Sequence, residues 1–300
     1  NTAITSTDGV TWTSATVTAA TNTQLQAVAF GSGKFVLVGR DAHFNAAAFT
    51  STDGTTWTPA NAIAGSGGGV GFIAIGASAG GFVAAGGRLV YSSVDGVTWT
   101  ARTSALPNSG RQLGPIVEGV SGAVFAGSQF FVLGIYGSIT TSADGTAWTR
   151  RSTGSVSDLG AILHDGTRFV ASGSGGTILT STDGSAWTPV TTGSTADFYN
   201  LAYSGTRYVT AGFNGIYHST NLTAWTAVAG TTSDRWTAAA YGGGRFVVAN
   251  SATTLGTRTS TDGVTWSTAV SIAGAGGNTN GLLYGNGLFV LTMTGFGSTP

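Results

Sequence analysis

The chain has 300 residues with 12 basic and 12 acidic side chains, so its formal net charge is zero, and only 8% of its residues are charged. A neutral surface has no field to gather phosphates, which argues against nucleic acid and anionic membrane as partners, and no apolar run is long enough to insert across a bilayer. Cysteine is absent, which removes disulfides and thiolate metal sites.

The first element is a phrase at residues 6–13, STDGVTWT. It returns at residue 51 (STDGTTWT), 93 (SVDGVTWT), 142 (SADGTAWT), 181 (STDGSAWT), 219 (STNLTAWT) and 260 (STDGVTWS). The spacing is about 42 residues, which calls for a repeat architecture. Asp-Gly between two β-forming runs predicts a hairpin tip, because the turn needs positive φ, which Gly adopts freely. The Asp carboxylate and the Ser hydroxyl can accept the amides of their own turn. This assigns structural work to Asp8, Asp53, Asp95, Asp144, Asp183 and Asp262, and an anchoring role to Trp12, Trp57, Trp99, Trp148, Trp187, Trp225 and Trp266. In the sixth copy Asn221-Leu222 replaces Asp-Gly. Leu does not easily adopt positive φ, so a different turn is expected there.

Ahead of each phrase an apolar run and a Gly-rich turn lead into an aromatic-Val run, at residues 25–39, 71–86, 122–134, 159–173, 199–212, 236–250 and 281–293. Runs such as Phe35-Val36-Leu37-Val38 lack polar alternates, so both strand faces must be covered. Each repeat is therefore four strands, A to D, with the phrase between C and D. The chain opens on a C–D pair (residues 2–16) and closes on an A–B pair (281–294), and the two halves complete one unit of a closed ring without open ends. Arg168, Arg207, Arg245 and Lys34 sit just before the B-strand aromatic. That recurrent position predicts pairing with a turn carbonyl or carboxylate.

The phrase resembles the Asp-box, or bacterial neuraminidase repeat, in a form one residue shorter between Asp and Gly: Ser-x-Asp-Gly-x-x-Trp. The resemblance implies an all-β fold, a single seven-bladed β-propeller over residues 1–300, whose closing blade joins 281–300 to 1–16. It is similar to repeats of secreted bacterial and phage propeller proteins. It also implies that ligands bind on the face opposite the phrase turns, formed by the B–C and D–A connections. The longest of these are residues 40–48, 59–70, 101–119 and 250–257. The residues expected to form a ligand site there are Asp158, Asp197, Phe198, Tyr199, Asp234, Arg235, Trp236, Asp41, Phe44 and Tyr136. Asn278 and Asn280 are expected at the channel mouth with them. The Asp-box carries no activity by itself.

A sialidase reading fails on the residues: that family's Arg-Ile-Pro signature does not occur, and Glu118 is the sole Glu. A glycosidase pair drawn from Asp41, Asp158, Asp197 and Asp234 is the weakest reading, resting only on the separation that two carboxylates need. No catalytic residue is assigned. His43, His164 and His218 fall on different parts of the repeat, so no metal site and no cofactor is expected. The reading is a non-catalytic extracellular or cell-surface binding or adhesion module for a glycan or a surface protein. Its alternative is a self-assembling structural component of a surface assembly or phage virion fibre. The composition, with Asn1 first, reads as a processed or excised extracellular domain.

Overall fold

The computed structural model describes residues 2–18, 23–63, 71–86, 89–102, 119–231, 234–251, 255–272 and 277–294. Their 28 strands form seven four-stranded antiparallel blades of a β-propeller. The N-terminal hairpin is β1 (Thr2–Ser6) and β2 (Thr13–Val17). Blade 1 is β3 (Gln24–Gly31), β4 (Lys34–Arg40), β5 (Ala46–Ser51) and β6 (Thr56–Pro59). Blade 2 is β7 (Ala74–Ser78), β8 (Gly81–Gly86), β9 (Leu89–Ser93) and β10 (Thr100–Ala101). Blade 3 is β11 (Val120–Ala126), β12 (Gln129–Gly134), β13 (Ile139–Ser142) and β14 (Thr149–Arg151). Blade 4 is β15 (Leu159–His164), β16 (Phe169–Gly173), β17 (Ile178–Ser181) and β18 (Thr188–Val190). Blade 5 is β19 (Asn200–Tyr203), β20 (Tyr208–Gly212), β21 (Gly215–Ser219) and β22 (Thr226–Ala227). Blade 6 is β23 (Trp236–Gly242), β24 (Arg245–Asn250), β25 (Gly256–Ser260) and β26 (Val270–Ser271). Blade 7 adds β27 (Asn278–Gly285) and β28 (Leu288–Thr294) to the N-terminal hairpin.

Closure occurs as the complementary halves require. Strand β1 runs antiparallel to β28, Thr2 opposite Met293 through Ser6 opposite Phe289. The closure does not remove every edge: β10, β22 and β26 are outermost strands of two residues each, short enough to offer little template for another chain. Between blades 7 and 1 the outermost strands pair with each other. There β2 and β6 run parallel, with Thr16 opposite Thr56 and Val17 opposite Trp57, which merges two blades into one eight-stranded sheet.

The B strands are buried along their length, as in Phe35, Val36, Leu37 and Val38 of β4, because each blade is covered by both neighbours. The repeated turns reinforce these junctions. In each of the six Asp copies the Ser Oγ accepts the Gly amide at 2.8–2.9 Å. One Asp oxygen accepts the next two amides, and the Trp indole N–H reaches the Gly carbonyl. Trp57, Trp99 and Trp187 are buried, while Trp12, Trp148, Trp225 and Trp266 are half-buried. The glycine also lets the turn lie against the preceding blade: a Cβ on Gly96 would stand 2.7 Å from Val36 Cγ2. Basic side chains before the B strands bridge the same seams. Lys34 donates to the Asp95 carbonyl at 3.2 Å, and Arg245 to the Asp8 carbonyl at 3.0 Å.

The sixth turn departs from expectation. Leu222 adopts φ 70°, as the glycines do at their places, and Asn221 Oδ1 accepts the Thr223 and Ala224 amides as the Asp does elsewhere. Its side chain is 1% exposed and packs with Val170 and Ile178 of blade 4. Burial at the seam therefore outweighs the local dislike of Leu for positive φ. Arg168 of blade 4 is turned to the Asp165 carboxylate at 3.2 Å, which also accepts the Tyr208 hydroxyl at 2.5 Å.

A candidate ligand face on the loop side

On the face opposite the repeated turns, the chain enters the inner strands of blades 1, 2, 4 and 5 through one recurrent frame, and that of blade 6 through a variant with Asn250 in the glycine's place. The carbonyl before the inner strand lies against a B-strand glycine: Asp158 O against Gly173, and Asp197 O against Gly212. A large apolar side chain follows, then a residue at a bulge, seen where the pairing shifts between Leu159 and Ala161 or between Trp236 and Ala238. A bulge re-aims its residue out of the regular alternation.

This frame corrects two of the expected site residues. Phe198 and Trp236 follow directly on the lead-in position, as Leu25, Phe72 and Leu159 do, and all five are buried at 0–1% exposure. Trp236 donates its indole N–H to the Thr231 carbonyl at 3.3 Å, and its ring faces the Arg258 guanidinium at 5.6 Å. These are core side chains that plug the start of their blades, and the exposure expected for them is absent.

Tyr199 stands at the bulge place of blade 5, half-buried, with its ring 5.1 Å from that of Phe213. Phe213, in the B–C turn of blade 5, is 39% exposed. The exposed Arg235, leading into blade 6, lays its guanidinium 4.2 Å from the Phe213 ring centroid. Burial, and then the charges of Asp197 and Asp158, push the Tyr199 hydroxyl above its ordinary pKa. Asp197 gives one oxygen to the Gly175 amide at 2.9 Å, and Asp158 gives one to the Tyr136 amide at 3.0 Å. Each carboxylate retains capacity for further donors. Tyr136 is 45% exposed. Phe213 is the member that sequence reasoning missed; its signal was an aromatic residue in a B–C turn, the same kind of place as Phe44 and Tyr136.

The other expected residues make contacts of their own. Asp41 caps its own turn, accepting the His43 and Asn45 amides and the Asn45 side chain at 2.8–2.9 Å. That hydrogen bonding, led by the Asn45 side chain, holds its carboxyl below the usual range. Phe44, 47% exposed, is faced by Arg40 at 4.8 Å. Asp234 is half-buried, with its amide on the Thr231 carbonyl. Asn278 is exposed, while Asn280 donates across the seam to the Leu25 carbonyl at 2.8 Å. Glu118 and most of the 101–119 loop lie outside the described residues, as do 64–70 and 252–254 of the other long loops.

Among the described residues no group of three or more His, Asp or Glu is placed to hold a metal. His164 accepts the Gly166 amide and His218 meets Arg207 at 3.2 Å; burial and that guanidinium push the His218 pKa down. No helix among the described residues is long and apolar enough to cross a membrane. On the turn side a polar cleft of about 250 Å³ is lined by Lys34, Thr50, Asp53, Thr56 and Thr58. Its strongest groups are already engaged in turn and seam hydrogen bonds.

No family model and no curated protein matches this sequence. Solved structures do match its fold. A structure described as YCF48 bound to D1 peptide superposes with a TM-score of 0.67 at 16% identity, covering 93% of this chain and 96% of that one. YCF48 from Cyanidioschyzon merolae gives 0.61 at 16%, over 92% and 97%. The RRP9 WD40 repeats give 0.64 at 8%, over 93% and 97%. At these identities the likeness is one of fold.

Proposed function

We propose that this propeller is a non-catalytic extracellular binding or adhesion module that holds a glycan on its loop face, around Tyr199, Phe213 and Arg235 with Asp197 and Asp158. The carrying observation is the Tyr199–Phe213 pair with Arg235 on the Phe213 ring, beside a carboxylate. Aromatic faces take the C–H surfaces of a sugar, and carboxylate and guanidinium take its hydroxyls. The near absence of charge elsewhere suits a neutral ligand. In this reading the repeated turns are Asp-boxes of the short form, serving the fold.

A protein or peptide ligand on the same face is the second reading, favoured by the structural neighbour recorded with a bound peptide. The discriminating experiment is parallel screening on glycan and peptide arrays, with Phe213→Ala and Arg235→Ala beside the wild type. Glycan binding weakened by about 1–3 kcal/mol in Phe213→Ala, as for an aromatic anchor, supports the proposal. Glycan binding indifferent to both substitutions sinks it.

A further inference from the structure

The sixth repeated turn carries a pattern that the fold does not use. Asn221-Leu222-Thr223 is the chain's one instance of Asn-x-Ser or Asn-x-Thr, the acceptor pattern for N-linked sugar on surface loops. The other six copies have Asp-Gly there, followed by Val10, Val97 or Val264, by Thr55 or Thr146, or by Ser185.

The turn engages only one end of the Asn221 carboxamide. Its Oδ1 accepts the Ser219 hydroxyl at 3.2 Å and the amides of Thr223 and Ala224 at 3.1 and 3.0 Å. A carboxylate oxygen does this work in the other six copies, as at Asp8. Nδ2 makes no hydrogen bond among the described residues, and Asn221 is exposed. Thr223 is exposed too, with its hydroxyl unengaged, whereas Thr146 at the same place donates its hydroxyl to Asp144. Between them Leu222 points inward, 1% exposed against Val170 and Ile178, which fixes the turn with the Asn and Thr side chains outward. An Asp would close this turn as well, so the atom that sets Asn221 apart from the other copies is the one the fold leaves free.

We propose that Asn221 is an N-glycosylation site, modified at Nδ2 by a glycosyl diphosphate donor. Nδ2 attacks C1 of the sugar as it gives up one of its two protons to the transferase's base. The C1–N bond forms, the C1–O bond breaks, and the diphosphate leaves with the bonding electrons. The two backbone amides on Oδ1 stabilise the negative charge that collects there as the proton departs. The Thr223 hydroxyl is the group a transferase reads two residues on. The product keeps Oδ1 and one N–H, so the hydrogen bonds of the turn survive the modification. The attached sugar stands on the turn face, away from the loop-face ligand group. The inference rests on the extracellular reading given above, because such sugars are carried by secreted chains.

The test is intact-mass measurement and peptide mapping of the folded full chain after incubation with each of two donor systems. One is a polyprenyl diphosphate oligosaccharide with an oligosaccharyltransferase, the other a nucleotide diphosphate sugar with a soluble N-glycosyltransferase. Wild type and Thr223→Ser are expected to gain one glycan in at least one arm, and the arm identifies the donor. Asn221→Asp and Thr223→Val are expected to gain none while melting as wild type does, since Asp and Val stand at these places in other copies. The chain recovered from the secreted fraction of its source should carry the same single glycan at Asn221. Addition in neither arm, addition that persists in Asn221→Asp, or a secreted native chain with Asn221 bare overturns the proposal and leaves the loop-face reading standing. A chain modified at Asn221 that binds neither glycan nor peptide defeats the loop-face reading alone. A native chain retained in the cytosol without sugar ends both this proposal and the extracellular reading.

Discussion

Leu222 sets two sizeable energies against each other, and two substitutions separate them. Its side chain is 1% exposed against Val170, Ile178, Phe198 and Tyr208, so truncation costs about 2–5 kcal/mol through lost burial and the cavity left behind. Its φ of 70° is a strain of about 1–2 kcal/mol that glycine would relieve. Leu222→Gly therefore loses the first term and recovers the second, a net destabilisation of about 1–3 kcal/mol. Leu222→Ala loses nearly the same packing and keeps the strain, so it is expected to be about 1 kcal/mol less stable than Leu222→Gly. That order inverts the one found at ordinary strand or helix positions, where glycine is the worse residue. Urea denaturation at constant temperature reads both differences from the midpoints and slopes. If Leu222→Ala is the more stable of the two, the backbone at this turn is not strained. If both lie within about 0.5 kcal/mol of wild type, the seam between blades 4 and 5 does not depend on this side chain.

Trp236→Ala should behave as a core truncation, losing about 3–5 kcal/mol in the same denaturation assay, the loss also expected of Trp57→Ala; a variant as stable as wild type would return Trp236 to the surface. Acid should weaken the ring through the turn carboxylates. Amides lower the pKa of Asp8, Asp95 and Asp183, with Thr11, Thr98 and Ala186 the leading donors, and Asp262 is lowered to about 2, chiefly by the Val264 amide. A depressed folded-state pKa gives stability that is present above the unfolded value and lost as pH falls through the folded one. The melting temperature should thus decline a little below about pH 6.5, where the unfolded chain protonates His218 more readily than the fold does, and fall further from about pH 4 toward pH 2 as the turn carboxylates protonate. A melting temperature that rises over that lower range would contradict the assigned hydrogen bonds.

The propeller was legible because its information is local and repeated. Asp-Gly fixes a turn, Trp anchors the return strand, and the out-of-phase ends state which strands close the ring. What escaped was governed by contacts between repeats. Leu222 broke a rule about single residues because Val170 and Ile178 lie across the seam. Trp236 stood out as the one Trp outside the phrase, yet alignment on the residue before each inner strand groups it with Leu25, Phe72, Leu159 and Phe198 as a buried plug. Tyr136, by contrast, was named from sequence among the aromatic residues expected to be exposed on the loop face. That its amide and that of Gly175, one blade on, meet matching carboxylates became visible only in the fold.

The pairing of β1 with β28 has a consequence for how the chain assembles. Thr2 meets Met293, so β1, already paired antiparallel with β2, finds its second neighbour only after the rest of the propeller has been made. At elongation rates of about 5–20 residues per second, roughly 10–50 s separate the synthesis of β6 from that of β28. Throughout that interval the N-terminal hairpin would be an open edge, available to a second nascent chain. The parallel pairing of β2 with β6 becomes possible as soon as blade 1 is made. It docks the hairpin against its neighbour, shields one of its edges, and leaves the closing event as the arrival of the β27–β28 hairpin at a prepared place.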